Sequence, residues 1–100
     1  MTKQIERIKL MEQHLDRASQ AVMQLSTALD DYAAAQKGIS ELSAYYGSKD
    51  WKQDFAADEQ GLLPSDLKRG VLSEDAIWNV LSDCNTLNTR MQELLTANRH

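Results

Sequence analysis

The sequence has few residues that end helices or form disulfides, and it has no long apolar run that could anchor it in a membrane. Its 100 residues include one cysteine, one proline and four glycines. The single cysteine, Cys84, excludes an internal disulfide, and with no recognisable secretory signal this favours a reducing compartment. Apolar runs are far shorter than the roughly 18 residues that a membrane span needs. We therefore expect a cytoplasmic protein that does not enter the membrane.

Basic residues are also scarce, and their scarcity limits the class of partner. Eleven basic residues stand against fifteen acidic ones, which gives a net charge of −4. Nucleic-acid binding needs basic surface to displace counterions, so we expect no nucleic-acid partner. The acidic balance is compatible with a basic protein partner. A chain of this length is expected to form one domain, 1–100, with little stability to spare, so self-association would help it.

A long amphipathic helix is predicted over residues 2–46. Apolar residues recur at steps of three and four, which is the a/d stripe of a heptad repeat. The stripe comprises Ile8, Met11, Leu15, Ala18, Val22, Leu25, Leu29 and Tyr32. Gly38 leaves two alternatives open, because glycine weakens a helix. The helix runs through Gly38 with or without a bend, or it ends near Lys37 and a second helix begins.

A second amphipathic helix is predicted over residues 73–97. Ser73 suits the N-cap, Glu74 and Asp75 suit the positive end of the helix dipole, and Leu72 can pack on Ile77 as a hydrophobic staple. The apolar stripe then continues through Val80, Leu81, Cys84, Leu87, Met91, Leu94 and Leu95.

Residues 45–75, the central segment, differ from both flanks in composition. They contain four of the six aromatic residues, the only proline and three of the four glycines. A short helix is predicted over 48–60, with Ser48 as its N-cap and Gly61 just after its end. A Pro-containing helical turn is predicted over 63–70, ended by Gly70.

The candidate site is a polar and aromatic cluster in the central segment. Helical spacing places Trp51, Phe55 and Asp58 on one face. We expect Asp58 or Glu59 to meet Arg69, Lys68 or the amides at the start of the last helix. Three interpretations stay open: a buried ion pair that holds the loop, a positioned binding surface, or catalysis by carboxylates. The candidate residues are Tyr46, Trp51, Asp54, Asp58, Glu59, Lys68 and Arg69.

Sequence signatures of metal, cofactor or nucleophile chemistry are absent. The two histidines, His14 and His100, lack metal-ligand spacing to a cysteine or carboxylate, and no phosphate-binding loop or nucleophile elbow occurs. We expect no cofactor, no metal and no catalytic residue. A divalent ion at Asp54 and Asp58 is the alternative.

The central segment resembles a bacterial group of small helical proteins, the domain-of-unknown-function family 4298. The resemblance covers about a third of the chain and is unbroken over residues 66–75. Before that stretch, the residues that carry it are Tyr45, Tyr46, Trp51, Asp54, Phe55, Asp58, Glu59, Gly61, Leu63 and Pro64. It implies a bacterial origin, and it implies no activity, cofactor or catalytic residue.

Together these patterns predict an all-α fold. The two long helices are expected to form an antiparallel bundle, capped by the short helix and the Pro64 turn, and to associate as a homo-oligomer, with a dimer as the first expectation. The predicted function is a non-enzymatic protein–protein interaction module, of which an inhibitor or immunity-like protein is one form. The alternatives are a small carboxylate-based or metal-assisted enzyme and a purely structural oligomer.

Overall fold

The computed structural model describes residues 1–73 and 75–98 as three α-helices and one short 3-10 turn. Helix α1 spans Thr2–Tyr45, α2 spans Lys49–Glu59, the 3-10 turn spans Gly70–Leu72 and α3 spans Ala76–Ala97. No strand occurs among the described residues, which confirms the predicted all-α class. The expectations for Glu74 and His100 lie outside the described residues.

The chain divides into two compact units, Met1–Gln36 and Lys37–His100. In the first unit the backbone is helical from Thr2 onward. Its N–H and C=O groups bond within the helix, so the backbone of this segment needs no hydrogen-bond partner from another element. No residue of α1 is buried, and the large aliphatic side chains of the stripe are exposed.

Gly38 lies inside α1, and the helix continues through it to Tyr45. Of the two alternatives, the continuous helix is the one observed. A Cβ added at Gly38 would meet nothing within 4 Å. Steric demand therefore does not explain why glycine occurs at this position.

The second unit contains a small core around the 3-10 turn, which contacts both α2 and α3. Leu72 of the turn is 6% exposed and Ile77 of α3 is 3% exposed, and these are the buried hydrophobic residues of the described chain. They are the two residues predicted to form a hydrophobic staple. The core therefore joins the short turn to the first turn of α3.

Both ends of α2 are closed by local hydrogen bonds. The Ser48 hydroxyl accepts a hydrogen bond from the Trp51 N–H at 3.1 Å. Gly61 follows the helix with a φ of +71°, its N–H donates to the Asp58 carbonyl, and the Leu62 N–H donates to the Ala57 carbonyl. This pair of bonds is a Schellman motif, which requires a left-handed residue at the glycine position. The predicted 48–60 helix is thus observed as Lys49–Glu59, with the expected capping residues.

The chain between α2 and α3 differs in detail from the prediction. At Pro64 there is one tight turn, closed by the Leu67 N–H on the Pro64 carbonyl at 3.2 Å, and not a helical turn over 63–70. Gly70 begins the 3-10 turn instead of ending an element. The Ser73 hydroxyl donates to the Gly70 carbonyl at 3.0 Å and accepts from the Ala76 N–H at 3.1 Å. Ser73 therefore makes the hydrogen bond of an N-cap, while regular helix begins at Ala76.

Candidate functional site

The central segment lies entirely in the second unit, and side-chain hydrogen bonds hold its parts together. The first links the end of α1 to α2. The Tyr45 hydroxyl donates to Oδ2 of Asp54 at 2.6 Å. This bond, with smaller contributions from burial and from the negative charges of Asp54 and Asp50, raises the pKa of Tyr45 to about 12. Tyr45 therefore stays a neutral donor, and the Asp54 carboxylate has a hydrogen-bond partner.

Trp51 links α2 to the 3-10 turn. Its indole Nε1–H donates to the Val71 carbonyl at 2.9 Å, which satisfies the polar edge of a half-buried ring. The ring stacks on Phe55 with centroids 5.2 Å apart and meets Tyr46 edge-on at 5.5 Å. The predicted residues Tyr46 and Trp51 thus form a three-ring cluster with Phe55.

Asp58 links the end of α2 to the loop before the 3-10 turn. Its Oδ1 lies 2.7 Å from Nη1 of Arg69, as an ion pair with a hydrogen bond. The side chains are 29% exposed for Asp58 and 37% exposed for Arg69. The expected meeting of Asp58 with Arg69 is therefore observed, but the pair is partly exposed, which corrects the interpretation of a buried ion pair. Water and salt can therefore screen the attraction between the two side chains.

Two of the predicted site residues do not join this pair. Glu59 follows Asp58 on α2 and is exposed. Lys68 precedes Arg69 but lines an apolar groove elsewhere in the second unit. The structure thus divides the predicted cluster into separate contacts and does not gather its charges at one point.

The apolar groove was not predicted from the sequence. It has a volume of about 390 Å³ and lies where the last turns of α1 approach the 3-10 turn and the start of α3. Leu42, Val71, Ile77 and Val80 supply most of its apolar wall, and Lys68 is its charged residue. A sequence signal existed for Leu42, which flanks the α1 stripe. The positions of Val71 and Val80 depend on tertiary contacts.

The described residues offer no metal site and no membrane span. Within 1–73 and 75–98, no three histidine, cysteine or acidic side chains lie close enough together to hold a metal ion. None of the helices formed by these residues combines the length and apolar character that crossing a bilayer requires. The carboxylates of Asp54 and Asp58 already accept hydrogen bonds from Tyr45 and Arg69.

Comparison with known proteins identifies a family. The family model for a domain of unknown function, DUF4298, matches residues 8–94. No curated protein and no solved structure matches the chain. The match confirms the resemblance seen in the central segment and extends it over most of both flanking helices. The chain therefore belongs to the family of the domain of unknown function DUF4298.

Proposed function

We propose that this protein is a non-enzymatic protein–protein interaction module whose first partner is a second copy of the same chain. One observation carries the proposal: the apolar stripe of Met1–Gln36 has no cover. Ile8, Leu15 and Val22 are 52%, 59% and 67% exposed. Soluble proteins rarely leave a continuous apolar stripe in water unless it is an interaction surface.

The stripe is large enough to support a dimer. Completing the burial of a half-exposed aliphatic side chain stabilises by about 1 kcal/mol. Two copies of six such residues would contribute about 12 kcal/mol, and association costs about 4–15 kcal/mol in lost freedom. The burial is therefore of the same order as the cost of association, so we expect a dimer whose population depends on protein concentration. The six residues are Ile8, Met11, Leu15, Val22, Leu25 and Leu29.

The proposed arrangement within one domain keeps α1 and α3 as an antiparallel pair, capped by α2 and the Pro64 turn. Support comes from the stripe on α3, where Leu81, Cys84 and Met91 are half-buried while Leu87 and Leu94 stay exposed. A second helix packed along α3 would cover these exposed leucine side chains. The cytoplasmic location remains a prediction.

Two matched variants test the self-association. Leu15 belongs to the a/d stripe, whereas Leu10 lies off it at a similar exposure of 48%. We expect Leu15→Asn to weaken association at least tenfold and Leu10→Asn to change it little, as measured by sedimentation velocity over a concentration series. Equal loss from both variants would mean that general hydrophobicity, and not the stripe, drives association. A monomer at every concentration would overturn the proposal.

The central segment offers a second surface, suited to a basic protein partner in the manner of an inhibitor or immunity-like protein. Asp50, Glu59, Asp66 and Asp75 are exposed there. The contacts that fix the segment would keep these carboxylates in place before binding, which lowers the entropic cost of association. The candidate site residues Asp54, Asp58 and Arg69 then have a positioning role.

A binding assay tests this second surface. We expect the intact chain to retain a basic protein at low salt. A variant with Asp50→Asn, Glu59→Gln and Asp66→Asn should no longer retain that protein. Once purified, the basic protein should bind the intact chain again. Lys3→Gln, Lys9→Gln serves as a charge-altered control outside the segment. If nothing basic binds at any salt concentration, this surface has no such role.

The enzyme alternative has less support. A catalytic carboxylate needs a concave site that excludes water and holds a substrate. Here Asp54 and Asp58 are engaged by Tyr45 and Arg69, and the groove in the same unit is lined by apolar residues and Lys68. A purely structural oligomer would show the same self-association. In the binding assay it would bind no basic protein.

A further inference from the structure

The N-terminal half of α1 carries a stripe of exposed apolar side chains. α1 has 44 residues and α3 has 22. Both rise about 1.5 Å per residue, so α3 can run beside at most half of α1. Leu42 and Ile77 line one groove in the second unit, so an antiparallel α3 would start opposite the C-terminal end of α1. With half the residues of α1, α3 is too short to cover both halves of it, and the large apolar side chains of the N-terminal half are exposed.

The residue types at the stripe positions favour a two-stranded coiled coil. With Ile8 at position a, the following a positions are Leu15 and Val22, and the d positions are Met11 and Ala18. Ile8 and Val22, two of the three a residues, are β-branched, which is a feature of two-stranded assemblies. The four large residues of this set are all more than half exposed.

The charges beside the stripe distinguish a parallel from an antiparallel pair. Arg7 occupies position g and Glu12 occupies the e position five residues later. In a parallel, in-register dimer each g residue faces the e residue of the following heptad in the partner, so Arg7 and Glu12 would form two equivalent pairs of opposite charge. In an antiparallel dimer g faces g and e faces e.

No register of an antiparallel pair provides such an attraction. The g positions of α1 hold Arg7, His14, Ala21, Ala28, Ala35 and Leu42, none of them acidic. The e positions hold Ile5, Glu12, Ser19, Ser26, Ala33 and Ser40, none of them basic. Charge complementarity at e and g sets helix orientation in coiled coils, so it favours the parallel arrangement.

We infer that residues 5–22 of α1 pair with the same residues of a second copy as a parallel, in-register, two-stranded coiled coil. Arg7 of each chain faces Glu12 of the other. This inference rests on the proposed self-association and specifies its surface, orientation and register.

Charge reversal tests the pairing. Arg7→Glu and Glu12→Arg are each expected to weaken the homodimer roughly tenfold, because both symmetric pairs become repulsive. An equimolar mixture of the two variants should regain the affinity of the unmodified chain, as should the chain that carries both changes. Lys9→Glu and Asp16→Arg are matched controls, since these b positions face away from the partner, and neither should weaken the dimer comparably. Equal effects from the controls would overturn the assigned register.

Cross-linking tests the orientation. In a Cys84→Ser background, Ala18→Cys introduces the chain's one thiol at a d position inside residues 5–22. A parallel dimer brings the two copies of that position together, within the Cα separation of about 4.4–6.8 Å that a disulfide accepts. We expect rapid disulfide-linked dimers from this variant and none from Gln13→Cys, at an outward f position. A dimer by sedimentation in which Ala18→Cys fails to cross-link would overturn this inference alone, whereas a monomer by sedimentation would overturn the proposed self-association as well.

Discussion

The first unit and the central segment are stabilised in opposite ways. Met1–Gln36 is one regular helix whose polar side chains bond locally, as Thr27 does with the Met23 carbonyl four residues earlier. The central segment has little regular structure beyond α2, yet contacts between residues distant in sequence hold it together, such as the bond from Trp51 to Val71. Local periodicity is thus enough to form a helix but leaves its apolar face uncovered. An irregular segment needs specific contacts to be stable. In the central segment, those contacts are made between residues of the same chain.

The largest difference in unfolding free energy is expected between alanine substitutions at the two tryptophans. Trp51 is half-buried, hydrogen-bonded and stacked, whereas Trp78 is 58% exposed. Trp51→Ala is expected to lower the free energy of unfolding by about 2–3 kcal/mol, less than for a fully buried ring. Trp78→Ala should cost under about 1 kcal/mol. Urea unfolding followed by circular dichroism at low protein concentration measures both, and equal costs would mean that the Trp51 contacts do not hold the segment.

Two glycines are expected to respond in opposite directions to the same substitution. Gly61 has a φ of +71°, where an L side chain is strained, so Gly61→Ala should destabilise by about 1 kcal/mol. Gly38 lies in open space inside α1, so Gly38→Ala should stabilise by about 0.5–1 kcal/mol. Thermal unfolding of the two variants gives the sign directly. A stabilising Gly61→Ala would exclude the left-handed turn at the end of α2.

The ion pair is expected to contribute less. A double-mutant cycle with Asp58→Ala and Arg69→Ala should give a coupling energy of about 0.5–1 kcal/mol, because both side chains are partly exposed. High salt should reduce it. Glu59→Ala with Arg69→Ala is the matched cycle and should show almost no coupling. A coupling energy near zero between Asp58 and Arg69 would show that this ion pair does not stabilise the central segment.

The smallest effect is expected at Tyr45, and it depends on pH. Folding raises the pKa of Tyr45 from 10.0 to about 12, so its hydrogen bond to Asp54 stabilises the fold fully below pH 10. That contribution is lost as the pH rises from 10 towards 12. Tyr45→Phe should therefore lower the melting temperature slightly at neutral pH and not at pH 12.

Tyrosinate absorbance provides a direct check on that assignment. One of the three tyrosines, Tyr45, should ionise at a pH well above 10. Asp54→Asn should lower the pKa of Tyr45 towards its ordinary value of 10.0. An unchanged titration in Asp54→Asn would show that Asp54 does not raise the pKa of Tyr45.

Features with a local cause were predictable from the sequence. The heptad stripe predicted α1, and Ser48 and Gly61 predicted the ends of α2, because capping depends on residues within one turn of the helix. The Asp58–Arg69 pair was one of several expected combinations, since helical spacing and the Gly61 turn limit which charges can meet.

Contacts that use the backbone of a distant residue could not be predicted. Every residue has a carbonyl, so nothing in the sequence identifies Val71 as the acceptor for Trp51. The bond from Tyr45 to Asp54 depends on how the chain turns at Gly47, and the exposure of the Asp58–Arg69 pair depends on how much protein surrounds it. The groove beside Leu42 likewise requires three elements to be placed first.

Amide hydrogen exchange at two protein concentrations tests the central claim most directly. The claim is that the central segment is stabilised within one chain, whereas the stripe of Met1–Gln36 needs a second copy. We expect the protection of α1 amides in residues 5–22 to rise with protein concentration through the micromolar range, while the amides of α2 keep the same protection. Protection that is independent of concentration in both regions, or that rises equally in both, would contradict the account.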